Sequence, residues 1–322
     1  MSFYIGSIKI NNNLILAPMA GITDQAFRKI CRDQGAGLAV SEMVTSDITL
    51  YQQQKSVQRL NFENDQYPIS VQIVGNDPIK MAESAKFIAD RGADIIDINM
   101  GCPAKKVLKK AAGSALMQHP KQVQQILQAV VEAVDLPVTL KMRTGWDQQH
   151  KNAPEIAKIA ENEGIQAITV HGRTRACKFN GEAEYQTIKK VKEMVKIPII
   201  INGDIDSPQK AQRVLTETNA DAIMIGRSAR GCPWIFSQIQ YFLETNKFIK
   251  KPTNCEIGHI ALAHIQQLYQ IYGEFRGVRT ARKHLIWYSA HLKNNEDFCA
   301  EIKQITTSEK QIKLIQDFFK IP

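Results

Sequence analysis

The segment IIDINMGCP at residues 95–103 predicts the kind of fold that this chain adopts. Its first residues are mostly apolar and β-branched, and an amide, a glycine, a cysteine and a proline follow at once. Such a run is typical of a buried parallel strand, and α/β proteins place reactive groups at the carboxyl ends of these strands. A lone cysteine is by default a small buried hydrophobe. Cys102 is therefore a candidate catalytic thiol whose role depends on the rest of the chain.

An alternation of strand-like and helical patterns surrounds this segment and extends over residues 1–241. The strand-like runs are at residues 14–17, 38–41, 69–74, 94–99, 137–142, 167–171, 197–201 and 222–225. Helical patterns lie between them at residues 24–34, 78–91, 121–134, 154–163, 185–195 and 207–217. Eight strand-like runs with helical patterns such as these between them favour a closed (β/α)8 TIM barrel. An open doubly wound sheet would be expected to carry a G-x-G-x-x-G turn after its first strand, where this chain has PMAGI.

The strand pattern stops after about residue 241. A polar linker, KKPTN at residues 250–254, precedes helical patterns at residues 258–272, 278–292, 297–305 and 308–319. The sequence therefore predicts an α/β chain with two domains. Residues 1–241 form a TIM-barrel catalytic domain, and residues 242–322 form a small all-helical domain.

Composition and charge narrow the class of protein. The chain has 41 Lys and Arg against 32 Asp and Glu, a net charge of +9, which favours a polyanionic partner, although a solvated basic surface would carry the same charge. The six cysteines contain no C-x-x-C pair, which predicts free thiols and no metal site. The start of the chain has no charged leader and no apolar run reaches about 18 residues, which predicts a cytoplasmic protein without a membrane partner.

Polar residues collect at the carboxyl ends of the predicted strands, where TIM barrels build their active sites. Each has a structural alternative, such as a loop hydrogen bond for Gln72 or a satisfied core histidine for His171, but the strand ends together favour a site. The glycines and guanidinium at residues 202–204 and 226–227 suit a phosphate group, unless the glycines serve only turns. A phosphate there, with Lys141 and Gln72 across the mouth, suggests FMN, whose reduced ring a lysine would stabilise.

Four segments carry a resemblance to a known family. APMAGITD at residues 17–24, DINMGCP at 97–103, VHGRTR at 170–175 and NGDI at 202–205 resemble the tRNA-dihydrouridine synthase family, most closely its bacterial B type. KMRTGW at 141–146, FNGEAEY at 179–185 and RTARKH at 279–284 extend the resemblance nearly end to end.

The resemblance implies an oxidoreductase acting on CH–CH bonds, with FMN, with NADPH (or NADH) as reductant, and with a D-loop uridine of tRNA, expected at position 17, as substrate. A monomer is expected. The resemblance places the FMN contacts at Pro18, Met19, Ala20, Gln72, Lys141, His171, Asn202, Gly203, Asp204, Gly226 and Arg227. It makes Cys102 the proton donor.

The chemistry of uracil is consistent with these roles. Hydride from reduced flavin is expected to reach C6, which leaves enolate character at C5 and O4, so that a proton must then reach C5. A thiol with a pKa of about 8.5 is mostly protonated at neutral pH and can supply that proton. Asn99 is expected to bond the uracil edge, and Arg143 to stabilise the developing oxyanion. Lys105 and Lys106 are expected to face RNA or solvent, since a cation beside the sulfur would lower its pKa.

A base within the tRNA elbow must be flipped out to enter a barrel mouth. The residues predicted to hold the RNA lie around the start of the second predicted helix after the barrel and are Arg276, Arg279, Arg282 and Lys283. Nearby aromatic residues would suit base stacking, or equally a helical core. Two other functions stay open at this stage: a barrel flavoenzyme of the dihydroorotate dehydrogenase type acting on a small pyrimidine, and a noncatalytic RNA-binding factor.

Overall fold

A computed structural model of the protein describes residues 2–322, apart from the side chain of Lys55. Its centre is a parallel sheet made of β3 (Leu14–Leu16), β4 (Leu38–Ala39), β5 (Val44–Thr45), β6 (Ser70–Val74), β7 (Ile95–Met100), β8 (Val138–Arg143), β9 (Ala167–His171), β10 (Ile199–Asn202) and β11 (Ala222–Ile225). β4 pairs with β3, β5 pairs with β6, and Val40 bridges to Ser70. β4 and β5 are thus two halves of one interrupted strand, which closes the eight-stranded barrel and confirms the predicted fold class.

The helices alternate with these strands as a TIM barrel requires. They are α1 (Gln25–Asp33), α2 (Gln54–Arg59), α3 (Pro78–Asp90), α4 (Lys105–Leu108), α5 (Pro120–Ala133), α6 (Ala153–Asn162), α7 (Gln186–Met194) and α8 (Pro208–Thr218). Capping residues in the sequence fix where several helices begin. The side chains of Asp24, Asp77 and Ser207 each accept from a backbone N–H group in the first turn of α1, α3 and α8. Each predicted strand and helix of the barrel occurs within two residues of its expected limits.

A short antiparallel hairpin, β1 (Phe3–Ile5) and β2 (Ile8–Ile10), was not predicted, and it closes the amino-terminal end of the barrel. Its isoleucines form one buried cluster with inward-facing strand residues such as Ile15, Ile95 and Ala222. Because side chains alternate between the two faces of a strand, the next inward positions lie nearer the carboxyl ends, and on β7, β9 and β10 these are the polar residues Asp97, Thr169 and Asn202. The barrel interior is therefore apolar at its base and polar at its mouth.

The carboxy-terminal region is helical, as expected, and consists of α9 (Ile235–Thr245), α10 (Asn254–Ser289), α11 (Asn295–Gln304) and α12 (Ser308–Phe319). α10 contains both helices predicted over residues 258–292, with a kink between them at Gly273, where φ is 71°. A positive φ is a conformation that glycine adopts at little cost. The region has its own apolar core, which includes Leu268, Leu285 and Phe319.

The predicted domain boundary at residue 241 lies inside α9, which continues to Thr245 and ends at Asn246 in a left-handed cap. Residues 246–253 form neither helix nor strand, so we propose this segment as the boundary. Two hydrogen bonds between the helical region and the first loop of the barrel help to hold the two together: the Tyr272 hydroxyl donates to Asp24 Oδ2 at 3.0 Å, and Lys283 Nζ donates to the carbonyl oxygen of Gly21. Within residues 2–322, no helix combines the length and apolar character needed to cross a bilayer.

Candidate active site at the barrel mouth

Four inward-facing side chains of neighbouring strands form a continuous hydrogen-bonded group. Strand register sets Gln72 on β6 beside Asp97 on β7, and Asp97 beside Thr139 on β8. Asp97 accepts from Gln72 Nε2 and from Thr139 Oγ1, both at 2.6 Å, and Gln72 Oε1 accepts from Asn99 Nδ2 at 2.7 Å. All of these side chains are buried, so every amide is held in one orientation.

Lys141 stands next to this group and carries the positive charge of the mouth. Its ammonium donates to Asn202 Oδ1 at 3.1 Å, and Asn202 Nδ2 donates to the carbonyl oxygen of Met224 at 2.7 Å. Burial lowers the pKa of Lys141 to about 8, and the Asp97 charge opposes that shift. Burial also raises the pKa of Asp97 to about 6. At neutral pH both groups are mainly charged, which places a cation at the mouth and an anion below it.

His171 ends β9 and is neutral. Burial, followed by the charges of Lys141, Arg143 and Arg173, lowers its pKa well below the ordinary value for histidine. A neutral imidazole has one donor and one acceptor nitrogen. His171 can thus bind a polar ligand group without adding charge to a site that already holds several cations.

Cys102 lies on the loop that follows β7, where the sequence predicted it. Asn99 Oδ1 accepts from the backbone N–H groups of Gly101 at 3.2 Å and Cys102 at 3.0 Å, and Ser114 Oγ donates to the carbonyl oxygen of Cys102 at 2.9 Å. The residue is half-buried, and burial raises the pKa of its thiol. The thiol is therefore protonated at neutral pH, as a proton donor must be. Lys105 and Lys106 are exposed.

Asp204 follows β10 and is held by two guanidinium groups. Arg173 contacts both of its carboxylate oxygens, at 2.9 and 2.5 Å, and Arg227 Nη2 donates to Oδ1 at 2.7 Å. These cations hold the pKa of Asp204 below its usual range, although burial alone would raise it. Gly203 has a φ of 125°, and a Cβ there would lie 2.8 Å from Ala183 Cβ, so only glycine fits. Asp204 thereby contacts an exposed guanidinium at the rim, that of Arg227, which follows β11.

The remaining predicted ligand contacts surround this mouth. Pro18 and Met19 are half-buried and Ala20 is exposed, on a turn in which Thr23 Oγ1 accepts from the Met19 N–H at 2.9 Å. Gly226 lies beside that turn, since a Cβ on it would be 3.6 Å from Met19 Sδ.

Arg143 has a structural part in the mouth. Its guanidinium donates to the carbonyl oxygens of Gly101, Thr174 and Lys178 at 2.7 to 2.9 Å. These bonds join the loop that carries Cys102 to the loop after β9, so Arg143 fixes the two loops relative to each other.

Three residues of the mouth were missed from the sequence: Asp97, Arg173 and Phe179. Phe179 is 54% exposed, and the guanidinium carbons of Arg143 and Arg227 lie 5.4 and 5.5 Å from its ring centroid. The two-residue period of β7 was a usable signal for Asp97, because it places Asp97 on the same face as Asn99. Phe179 lies in a loop without any such period, so its position required the structure.

The four residues predicted to bind RNA divide into two pairs. Arg276 and Arg279 are exposed: Arg276 donates to Gln54 Oε1 at 2.9 Å, and Arg279 lies 5.4 Å from the ring centroid of Phe275. Arg282 and Lys283 are half-buried and bond inward, to the carbonyl oxygens of Ile305 at 2.6 Å and of Gly21. The structure thus presents one pair to solvent and uses the other to hold the helical region together and to the barrel.

A closed parallel barrel with polar groups and a protonated thiol at the carboxyl ends of its strands defines a TIM-barrel enzyme whose reactive groups lie at the barrel mouth. The dihydrouridine synthase (Dus) family matches residues 15–321, and the chain belongs to this family.

Curated relatives cover nearly the whole chain. It is 52% identical to the tRNA-dihydrouridine synthase B of Shewanella oneidensis, over 98% of both chains. It is 53% identical to the enzyme of that name from Pseudomonas syringae pv. tomato, over 98% of this chain and 94% of the relative.

Two solved structures share the architecture at low identity. A histamine dehydrogenase from Rhizobium sp. 4-9 has a TM-score of 0.55 at 13% identity and covers 82% of this chain and 50% of its own. An old yellow enzyme homologue from Zymomonas mobilis has a TM-score of 0.53 at 14% identity and covers 78% and 94%. At these identities the likeness shows the fold alone.

Proposed function

We propose that this protein is a flavin-dependent tRNA-dihydrouridine synthase. It binds FMN, takes electrons from NADPH, and reduces the C5=C6 bond of a D-loop uridine, with uridine 17 as the expected position. The observation that carries this proposal is a protonated thiol, Cys102, whose backbone N–H is held by Asn99 at a barrel mouth that also holds a half-buried, charged lysine, Lys141. The names of the relatives support the substrate class.

The residues of the mouth fit FMN. Among the described residues, Lys141 Nζ has one hydrogen-bond partner, Asn202, so that two of its three N–H groups are free to meet acceptor atoms of a flavin. Gln72 likewise keeps one N–H group beyond the one given to Asp97. Arg227, with Gly203 and Gly226 close by, suits the phosphate group. Pro18, Met19 and Ala20 are assigned to the neighbouring rim, and His171 and Asp204 complete the set.

FMN, when bound, supplies the hydride for the reduction. Cys102 holds the proton that C5 must receive, and Asn99 together with Ser114 holds the backbone around it. Lys141 provides positive charge near the site where negative charge develops. Asn99 keeps one N–H group that can reach the uracil edge, whereas Arg143, whose donors join two loops, contributes through position and charge.

The helical region is assigned to tRNA. Arg276 and Arg279 are its exposed cations at the kink of α10, and they lie on the side where Gln54 of the barrel is bonded. Lys105 and Lys106 in α4, with Lys109 and Lys110 just after it, add charge to the barrel rim. Neutralised phosphates release counterions, so this binding is expected to weaken steeply as salt rises.

The test is a reconstituted reaction. Purified protein is incubated with FMN, NADPH and an unmodified tRNA transcript, and dihydrouridine is located by mass spectrometry of nuclease fragments. We expect a yellow protein that makes dihydrouridine at one D-loop position. Protein that stays colourless with FMN would contradict the cofactor assignment. Reduction of orotate or free uridine as fast as tRNA would favour a small-pyrimidine enzyme, and bound flavin without turnover would favour an RNA-binding factor.

A further inference from the structure

Asp97 is a buried carboxylate, 2% exposed, to which the proposed reaction gives no role. It lies two residues before Asn99 on the inner face of β7 and five before Cys102. We propose that Asp97 is a positioning residue that fixes the direction of a hydrogen-bond chain ending at the backbone of Cys102. This inference rests on the proposed function for its activity readout, although its structural readout is independent of it.

The hydrogen bonds between Cys102 and Asp97 all run in one direction from donor to acceptor. The Cys102 N–H donates to Asn99 Oδ1 at 3.0 Å, Asn99 Nδ2 donates to Gln72 Oε1 at 2.7 Å, and Gln72 Nε2 donates to Asp97 Oδ2 at 2.6 Å. An ionised carboxylate can only accept, and a backbone N–H can only donate. Both ends therefore demand the same order of donors and acceptors along the two amides between them.

Reversal of either amide is costly while Asp97 is ionised. A flipped Gln72 would direct its carbonyl oxygen at the carboxylate and its NH2 group at the NH2 group of Asn99. A flipped Asn99 would direct its NH2 group at the N–H groups of Gly101 and Cys102, which would lose their acceptor. Buried polar groups without partners carry a large penalty. The carboxylate thus keeps the Asn99 oxygen under the loop that carries the thiol.

Loss of that direction is expected to loosen the loop around Cys102. In Asp97→Asn, the side chain at position 97 can donate as well as accept, so that only the backbone N–H groups of Gly101 and Cys102 still set the order and reversal of the two amides costs less than in the wild type. The thiol then spends less time in the productive position. A misplacement of about 1 Å can cost about 100-fold in rate, so we expect kcat for uridine reduction to fall about 10- to 100-fold. The KM for tRNA should stay within about twofold, since no RNA contact is removed.

The distinguishing measurement is the alkylation rate of Cys102 in the flavin-bound protein, followed by mass spectrometry of its peptide, with the five other cysteines as internal references. Asp97→Asn should make Cys102 react faster. Asp94→Asn is the matched control, because Asp94 is a half-buried carboxylate of the same strand region that accepts from the Ile69 N–H at 2.7 Å, an acceptor role that asparagine can keep. It should leave both readouts unchanged.

A double variant tests direction rather than mere disruption. In Asp97→Asn with Gln72→Glu, the carboxylate is moved one position along the chain, where it can accept from the new amide at position 97 and from Asn99. The Asn99 oxygen is then again directed at Cys102. We expect its alkylation rate to return toward the wild-type value when both proteins are compared without flavin, because Gln72 is itself an assigned FMN contact.

Three outcomes decide the matter. Wild-type kcat and wild-type alkylation in Asp97→Asn would overturn the inference. Lower kcat with unchanged alkylation would also overturn it, and would assign the effect to the lost charge beside Lys141. A wild-type protein that makes no dihydrouridine would contradict the proposed function. The alkylation rates would still test whether Asp97 fixes the hydrogen-bond chain that ends at Cys102.

Discussion

The barrel mouth and the interface between α1 and α10 both contain ionisable groups shielded from solvent, but the surroundings of these groups differ. In the mouth, Lys141 and Asp97 lie among hydrogen-bond partners and are mainly charged at neutral pH. At the interface, His264 and His284 pack against the Phe27 ring at 5.6 and 5.7 Å. Within residues 2–322, neither ring nitrogen of His284 has a hydrogen-bond partner.

The charge states follow from this difference. Burial lowers the pKa of His264 to about 3, and burial together with His264 and Lys283 lowers that of His284 well below its ordinary range. These histidines are neutral and behave as part of the apolar packing. Burial alone therefore does not mark a functional site in this molecule. What distinguishes the mouth is that Lys141 and Asp97 are charged and lie among polar partners, Asn202 for Lys141 and Gln72 and Thr139 for Asp97.

The largest effect is expected at Cys102. Cys102→Ala removes the proposed proton donor, and general acid catalysis contributes about 10²- to 10⁴-fold, so uridine reduction should fall by that range. FMN binding and NADPH oxidation should persist, because neither requires the thiol. Stopped-flow bleaching of the flavin and dihydrouridine yield measure the two halves separately. Wild-type dihydrouridine synthesis by this variant would return Cys102 to a packing role.

A second test compares two partners of Asp204. Arg173→Ala leaves a half-buried carboxylate without its main partner, which should cost about 3–5 kcal/mol in the free energy of unfolding. Arg227→Ala removes a partner whose side chain is 47% exposed, which should cost about 0–1 kcal/mol while still weakening FMN binding. Urea unfolding and FMN titration give both quantities. Equal losses of stability in the two variants would contradict the assignment of Arg173 as the structural partner.

The pH dependence of stability tests the charge states of the two histidines between α1 and α10. The folded pKa values of His264 and His284 lie below the unfolded value of about 6.5, so the unfolded chain binds protons first as pH falls. Stability should therefore fall below pH 6.5, by up to about 1.4 kcal/mol per pH unit for each histidine. Asp97 acts in the opposite direction below pH 6, because its folded pKa is raised.

The matched variant for this test is His284→Leu. It should be neutral or stabilising at pH 7.5, since it replaces unpartnered nitrogens by apolar atoms. It should also reduce the acid slope by about one histidine. Urea unfolding at several pH values provides the comparison, and an unchanged slope would show that His284 is protonated in the folded protein.

The smallest effect concerns the exposed cations of α10. Arg276→Glu with Arg279→Glu should reduce the salt dependence of tRNA affinity by about 0.7 to 0.9 log units per lost phosphate contact for each tenfold change in salt. Lys310→Glu with Lys313→Glu, two exposed lysines of α12, is the charge-matched control. Filter binding at several salt concentrations measures the slope. Equal salt dependence of tRNA affinity in both double variants would show that other residues bind the RNA, and the lysines at the barrel rim after β7 would be tested next.

Removal of the helical region tests its assignment to tRNA binding. A chain that ends at residue 249 keeps α9 whole, whereas one that ends at residue 241 would cut it. Its barrel is expected to retain flavin and to lose most tRNA affinity.

The strands and their reactive ends could be predicted because the two-residue and 3.6-residue periods are local properties of the sequence. The interruption between β4 and β5 could not, because it depends on the bridge from Val40 to Ser70 across the sheet. The inward roles of Arg282 and Lys283 were missed for a similar reason. A helical period shows which residues share a face, but not which face meets another element. Asp97 was passed over because a single charge within an apolar run has no visible partner in the sequence.

The tie between the helical region and the first barrel loop has a thermodynamic consequence. Tyr272 and Lys283 bond Asp24 and Gly21, which border the turn of Pro18 to Ala20 assigned to FMN. A ligand that reshapes this turn must also alter those two bonds, and so the placement of α10. Linkage is reciprocal, so any factor by which bound flavin changes the affinity for tRNA equals the factor by which tRNA changes the affinity for flavin. Retention of the cofactor would then depend on how much substrate RNA is present.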